Sequence, residues 1–387
     1  MKFTIPHMGK LDIVCKAILE MLGQEVVLPP PPNKKALSLG VRYSPELVCL
    51  PFKVNVGNFI EALEMGADTI VMIGGCNGPC RFGYYGTVQK LILESLGYKF
   101  RMIYFDNPSI KDIRYKMDLL FGGKPFWRVA QAIWFGWKLL NVLEEIEVLA
   151  HKARPGELRR GDTTRAYEAA AALAENASTP DSLKKARSEV LSMFEHIPKA
   201  QSDQPPLKVG VVGEIYTVLE PFVNLDVERH LGEMGVEVHR AVWLSSWLRH
   251  SLHMDKRDPK GRGAAVAAAA PYLRHHAGGE STVSVGATVR FARQGYDGVV
   301  HLMPFTCMPE VIAQGILSKV SRDLDIPVLT LILDEHSAQA GVMTRLEAFV
   351  DLLTRRREQR AKSREHRAKS GEHRAESRIY VGQGWHS

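Results

Sequence analysis

No stretch of this sequence is an uninterrupted apolar run of the roughly 18 to 20 residues that a membrane-spanning helix needs. Cysteine is scarce: five in 387 residues, an odd number and too few for a disulfide framework, which suits a reducing compartment. The chain opens on a strand-like KFTIP, without the apolar stretch and small-residue cleavage site of a secretory signal, so a cytoplasmic protein is expected. There is no GxxxxGK[ST] loop, and Gly210-Val211-Val212-Gly213-Glu214 is too short for a dinucleotide fingerprint. A basic face is also missing. The net charge is +7, but Arg355 to Arg378 alone holds ten Lys/Arg against four Glu, which leaves the remainder near neutral. Nucleic-acid binders build their positive patch on a folded element rather than in a terminal tail. Neither nucleic acid nor membrane is therefore expected as a partner.

What is present is an alternation of short apolar strands and amphipathic helices. Residues 1–110 read as KFTIP (strand), LDIVCKAILEMLG (helix), EVVLP (strand), ELVCLP (strand ending at Cys49), NVGNFIEALEMG (helix), DTIVMIGG (buried strand leading to Cys76), TVQKLILESLG (helix) and RMIYF (strand). This pattern predicts a doubly wound parallel sheet. From 111 to 204 the strand signals stop and long helical patterns follow, a helical arm or cap. A second α/β lobe spans 205–354, entered through the QSDQPP linker, with strands in LKVGVVGEIY, VEVHRAVW, GYDGVVHLMPF and PVLTLILDEH. The fold class is thus α/β, two doubly wound lobes with an intervening helical region. Residues 355–387 repeat a charged seven-residue unit (SREHRAK, SGEHRAE), too poor in apolar residues to bury a core; they are expected to be a disordered appendage, the other reading being an extension of the last helix as a solvated, charge-paired rod.

Four of the five cysteines share a setting. Cys49, Cys76 and Cys307 are each expected where a strand stops and a helix begins, and Cys80 follows through the glycine-rich Gly74-Gly75-Cys76-Asn77-Gly78-Pro79-Cys80. In open α/β sheets ligands gather beyond the carboxyl ends of the strands, and helix N-termini there favour thiolate over thiol. Cys49, Cys76, Cys80 and Cys307 are the candidate metal and cofactor ligands. Zinc accepts four thiolates, and so does an iron–sulfur cube, whose size suits ligands drawn from two lobes. Cys15, on the apolar face of its helix, reads as a small buried hydrophobe.

The segments VCLPFKVNVGNFIEALEMGADTIVMIGGCNGPCRFGYYG, VGVVGEIYTVLEPFVN, VVHLMPFTCMPE and LILDEHSAQAGVMTRLEAFVDLL resemble, in order, the motifs of the activase-related branch of the 2-hydroxyglutaryl-CoA dehydratase superfamily. The likeness covers about residues 1–353 and leaves out the tail. It implies flavodoxin-like lobes, a [4Fe-4S] cluster on Cys49, Cys76, Cys80 and Cys307, low-potential electron transfer or one-electron dehydration chemistry, and as partner an ATP-hydrolysing activase or a sister subunit in a homo- or hetero-oligomer. The family's dehydratase subunits offer three cysteines per cluster and leave one iron open. Four candidates here would close the cube and favour electron transfer over direct substrate chemistry.

Other residues carry two readings. Glu335 and His336, with Asp334, end the last strand and read as proton-handling (catalytic) residues or as a helix cap and surface turn. Glu214 and Tyr216 hold the matching edge after the lobe's first strand. Arg81 offsets the charge of a thiolate-bound metal or is simply solvated. His275 and His276 read as surface residues. Trp127, Trp134 and Trp137 read as packing, with a partner subunit implied should their face be exposed.

Overall fold

The structure is a computed structural model that describes residues 1–72, 80–104, 110–201, 204–251 and 261–381. The first lobe contains β1 (Lys2–Thr4), α1 (Leu11–Met21), β2 (Glu25–Val26), α2 (Lys34–Tyr43), α3 (Leu50–Glu64), β3 (Thr69–Met72), α4 (Tyr85–Ser95) and β4 (Arg101–Tyr104). Its sheet is parallel throughout, in the order β2-β1-β3-β4. The helical arm is α5 (Ile110–Phe121), α6 (Phe126–Ala153), α7 (Asp162–Glu175) and α8 (Pro180–Glu195). The Thr179 side chain and Pro180 start α8 as an N-cap and a first-turn proline.

The second lobe holds β5 (Leu207–Gly213), α9 (Ile215–Leu219), α10 (Pro221–Asn224), α11 (Val227–Glu233), β6 (Val236–Arg240), α12 (Leu244–Ser251), α13 (Arg262–Ala269), α14 (Ser281–Arg293), β7 (Gly298–Pro304), α15 (Met308–Asp323), β8 (Val328–Leu333) and α16 (Gln339–Val381). Its sheet runs β6-β5-β7-β8, again all parallel. Both lobes therefore share the flavodoxin-like strand order, whose switch point lies between the first and third strands. β5 and β7 are buried on both faces, which is why they read as continuous Val/Leu runs.

Two expectations need correction. ELVCLP is not a strand. Pro45 and Pro51 bracket it, it pairs with no ladder, and Pro51 opens α3 with Cys49 as its N-cap. The helix that precedes it, α2, packs on α3 so closely that a Cβ on Gly40 would stand 1.7 Å from the Lys53 carbonyl oxygen, and one on Gly57 1.7 Å from that of Ala36. Two bare backbones meet there. The charged repeat, expected to be disordered, continues α16 as helix to Val381. Its Ala, Glu, Lys and Arg are strong helix formers.

The arm is fixed to the second lobe by charge as well as by packing. Arg240, the last residue of β6, reaches Glu147 of α6 at 2.7 Å and clasps Glu228 of α11, which also holds His151 at 3.3 Å. Burial would raise the Glu228 carboxyl, but Arg240 and His151 outweigh it and hold it far below the usual range.

The two lobes also meet at a buried titratable cluster. His7 pairs with Asp12 at 3.0 Å and with the Pro29 carbonyl at 2.9 Å, while Glu220 accepts from the Gly9 amide at 3.3 Å. Burial pushes Glu220 up to about 7, although His7 and the Gly9 amide draw it back. Burial alone would lower His7, but Asp12, the Pro29 carbonyl and Glu220 raise it. Both groups thus bind protons more tightly folded than unfolded, so their stability is full at low pH and lost as pH rises through the folded values. Between pH 5 and 8 this junction should lose on the order of 3 kcal/mol through Glu220. Amide exchange around Gly9 is expected to quicken across that window, and Glu220→Gln should flatten the dependence. Identical pH profiles for the two proteins would contradict it.

Candidate functional site: a cysteine junction between the lobes

Each described candidate cysteine caps the start of a helix or 3-10 turn. Cys49 precedes α3, Cys80 precedes the turn Arg81–Tyr84, and Cys307 precedes α15. The free N–H groups there make a positive end that favours an anion. Cys76 and the loop before Cys80 lie outside the described residues.

Arg81 draws the three loops together. Its guanidinium donates to the Leu47 carbonyl at 2.8 Å, two residues before Cys49, and to the Thr306 carbonyl, one before Cys307. The Thr306 hydroxyl donates to the same Leu47 oxygen at 3.2 Å. Thr306 has φ +66°, a left-handed backbone that a β-branched residue rarely adopts. Strain of that kind costs roughly 1–3 kcal/mol and gathers at functional sites. Arg81 is thus neither merely solvated nor only a charge offset. It is a clasp between lobes.

The surroundings are acidic. The Tyr85 hydroxyl hydrogen-bonds the Cys49 sulfur. Burial pushes the Cys49 thiol up to about 11; Tyr85 and Arg81 oppose this, while Glu214 and Cys80 add to it. Cys307 is driven up by burial, then by Glu214, Glu310 and Cys49. Glu214 itself accepts from the Tyr216 and Thr217 amides at 3.0 and 2.8 Å, and burial still raises its carboxyl, with Glu310 adding to the rise. The Cys49 and Cys307 thiols and the Glu214 carboxyl are therefore all raised, chiefly by burial and then by the negative charge around them, with Arg81 the opposing cation beside Cys49. A multiply charged cation with a taste for sulfur would reverse that sign. By donor chemistry, the site fits a thiolate-bound iron–sulfur cluster. Among the described residues no three His, Cys, Asp or Glu stand close enough to share a single ion.

Of the other expected residues, Glu335 reaches the junction but is held by Lys53 of α3, whose side chain is only 3% exposed. His336 is exposed in a turn, its amide donating to Asp334 Oδ1 at 3.0 Å. Tyr216 is buried in the core. Gly213, with φ +145°, lets β5 meet β7: a Cβ there would lie 1.9 Å from the Leu302 oxygen. That explains the Gly210–Gly213 pattern without any phosphate. His275 and His276 are exposed, and Cys15 packs under α6, its thiol pushed up to about 12 by burial.

Sequence reasoning missed the support behind Cys307. His301 Nε2 meets Glu310 Oε2 at 2.8 Å with both side chains 0% exposed, Ser284 donates to the same oxygen at 2.9 Å, and Glu310 Oε1 has no partner. The available signal was the spacing: Glu310 follows Cys307 by three, one helical turn. Lys53 was legible in the same way, four residues after Cys49 on α3. A double-mutant cycle on Lys53→Met and Glu335→Gln is expected to give a coupling of about 1–3 kcal/mol in thermal or denaturant unfolding. Additive single effects would show that the pair does not join the lobes.

No family model matches the chain, and no curated protein matches it.

Proposed function

We propose that this chain is an iron–sulfur protein whose Cys49, Cys76, Cys80 and Cys307 hold one cluster, a [4Fe-4S] centre, at the junction of its lobes. Its role is low-potential electron transfer or radical reduction of the kind that the 2-hydroxyacyl-CoA dehydratase resemblance implies, with an ATP-hydrolysing activase or a sister subunit as partner. The supporting observation is that the Arg81 clasp brings Cys49 of one lobe beside Cys307 and Glu214 of the other, with burial and their neighbouring charges raising all three. A bound cluster supplies one-electron chemistry at a potential set by its ligands, nearby hydrogen bonds and exposure.

The protein's own groups do the rest. With Cys49 as thiolate, the Tyr85 hydroxyl must be the donor, and a hydrogen bond to ligand sulfur favours the reduced, more negative state. Arg81 holds the Leu47 and Thr306 loops in register and adds positive charge at the cluster's edge. Glu335, kept at the junction by Lys53, is the group to which this reading gives the proton-handling role, with His336 on the solvent side.

The test is anaerobic purification, iron and acid-labile sulfide analysis, and EPR of the reduced protein. Iron and sulfide in equal amounts with a low-temperature EPR signal are expected. A colourless protein with one zinc and no labile sulfide would replace this reading with a structural metal module.

A further inference from the structure

The first half of α6 is apolar on both sides. Its inner side (Val129, Ala132, Gly136) packs on Ile18 and Leu22 at the end of α1. Its outer side does not follow the expectation of packing: Phe126 is 86% exposed, Trp127 56% and Trp134 48%. With Met117 and Phe121 of α5 this side walls a cleft of about 870 Å³. Monomers rarely leave such an aromatic patch bare.

Charge selects what covers it. Lys138 lies over the Trp134 ring at 4.0 Å and Arg128 over Trp127 at 5.2 Å, and the cleft itself is lined by Lys124 and Arg249 against one acid, Asp118. From Leu119 to Leu143 there is no Asp or Glu. A second copy would bring the same cations against these. Exposed Trp and Phe interleaved with Lys and Arg, and no acid between, is the composition of a helix lying at a lipid–water boundary. We propose that this face rests on an anionic phospholipid bilayer, with Phe126, Trp127 and Trp134 among the headgroups and Lys124, Arg128 and Lys138 on lipid phosphates.

The helix lies on the bilayer rather than through it, since no helix among the described residues is long and apolar enough to cross. The expectation of no membrane partner rested on missing spans, and a surface contact escapes that argument. The placement also fits. The α5–α6 turn abuts Gly23 and Gln24, where α1 ends at the sheet edge opposite the cysteines, so a docked molecule keeps its cysteine junction away from the lipid.

The full-length protein is mixed with vesicles of phosphatidylcholine alone or of phosphatidylcholine with phosphatidylglycerol, then followed by sedimentation and tryptophan emission. Binding to the anionic vesicles only, a blue shift and weakening by salt are expected. Trp127→Ser/Trp134→Ser and Arg128→Glu/Lys138→Glu should each weaken binding about tenfold or more at unchanged melting temperature. These side chains point outward, so the fold survives their loss. No sedimentation with either vesicle overturns the proposal. So does undiminished binding of the variants, which would assign it to the cationic repeat of α16. Variants that dissolve a stable protein complex while keeping vesicle binding would assign the face to a protein instead.

Discussion

Cys80→Ala and Cys307→Ala are each expected to strip or convert the cluster, dropping iron and labile sulfide well below the parent, while Cys15→Ala leaves both unchanged. The contrast is the point. Cys15 has the same thiol, but it sits under α6 with burial holding it protonated, as a small hydrophobe would be. Cys80 and Cys307 cap helical starts in different lobes, tied through Arg81 and Thr306. Losing either leaves a cube short of a thiolate, which typically ends in loss of iron or a smaller cluster. Iron per chain, measured anaerobically beside near-ultraviolet circular dichroism, separates ligand loss from misfolding. Equal iron loss in all three variants would refute the assignment.

The second large effect concerns stability. Arg240→Met should cost about 3–5 kcal/mol, because it leaves Glu147 and Glu228 as buried carboxylates without their counter-charge. The methionine keeps much of the packing over Trp243, so the loss is one of charge rather than volume. Adding Glu228→Gln should restore part of the stability, since it removes one uncompensated charge. The linkage has a definite sign. Glu228 titrates below its unfolded value, so its contribution is present above about pH 4.5 and lost as pH falls. Acid unfolding of the parent should therefore be steeper than that of Arg240→Met. A melting temperature within a degree or so of the parent, or matching acid profiles, would show the network to be neutral.

Most of the architecture was legible because it is written in periodicity. The Val/Leu runs of β5 and β7 and the helical arm rest on buried faces made of large apolar residues. What escaped lacked that signal. α2 hides Ala36 and Gly40, residues too small to make an apolar stripe, and its helix is fixed by backbone contact with α3. α14 is buried from Ser281 to Val289 and rich in β-branched residues, so its sequence carries no helical alternation; tertiary packing overrides its propensity. ELVCLP has strand composition, yet Pro45 before it and Pro51 at its end, where α3 starts, deny it a ladder.

The site shows the same division. The cysteines stand out in the sequence through the glycine-rich loop and the pattern around Cys307. Tyr85 and His301 gain their meaning only from partners brought in by the fold, while Lys53 and Glu310 offered no more than their spacing from Cys49 and Cys307. Trp127 and Trp134 were read as packing because spacing cannot tell an inner face from an outer one on a helix apolar all round.

The clasp between Leu47, Arg81 and Thr306 also sets a schedule. At synthesis rates of about 5–20 residues per second, the 227 residues from Cys80 to Cys307 take roughly 10 to 45 seconds to make. Through that interval a nascent first lobe presents its thiols with no second lobe to close over them. On the proposed reading, a cluster shared by the two lobes could close only once Cys307 has been made, and the first lobe's sulfurs would stand open to oxygen until then.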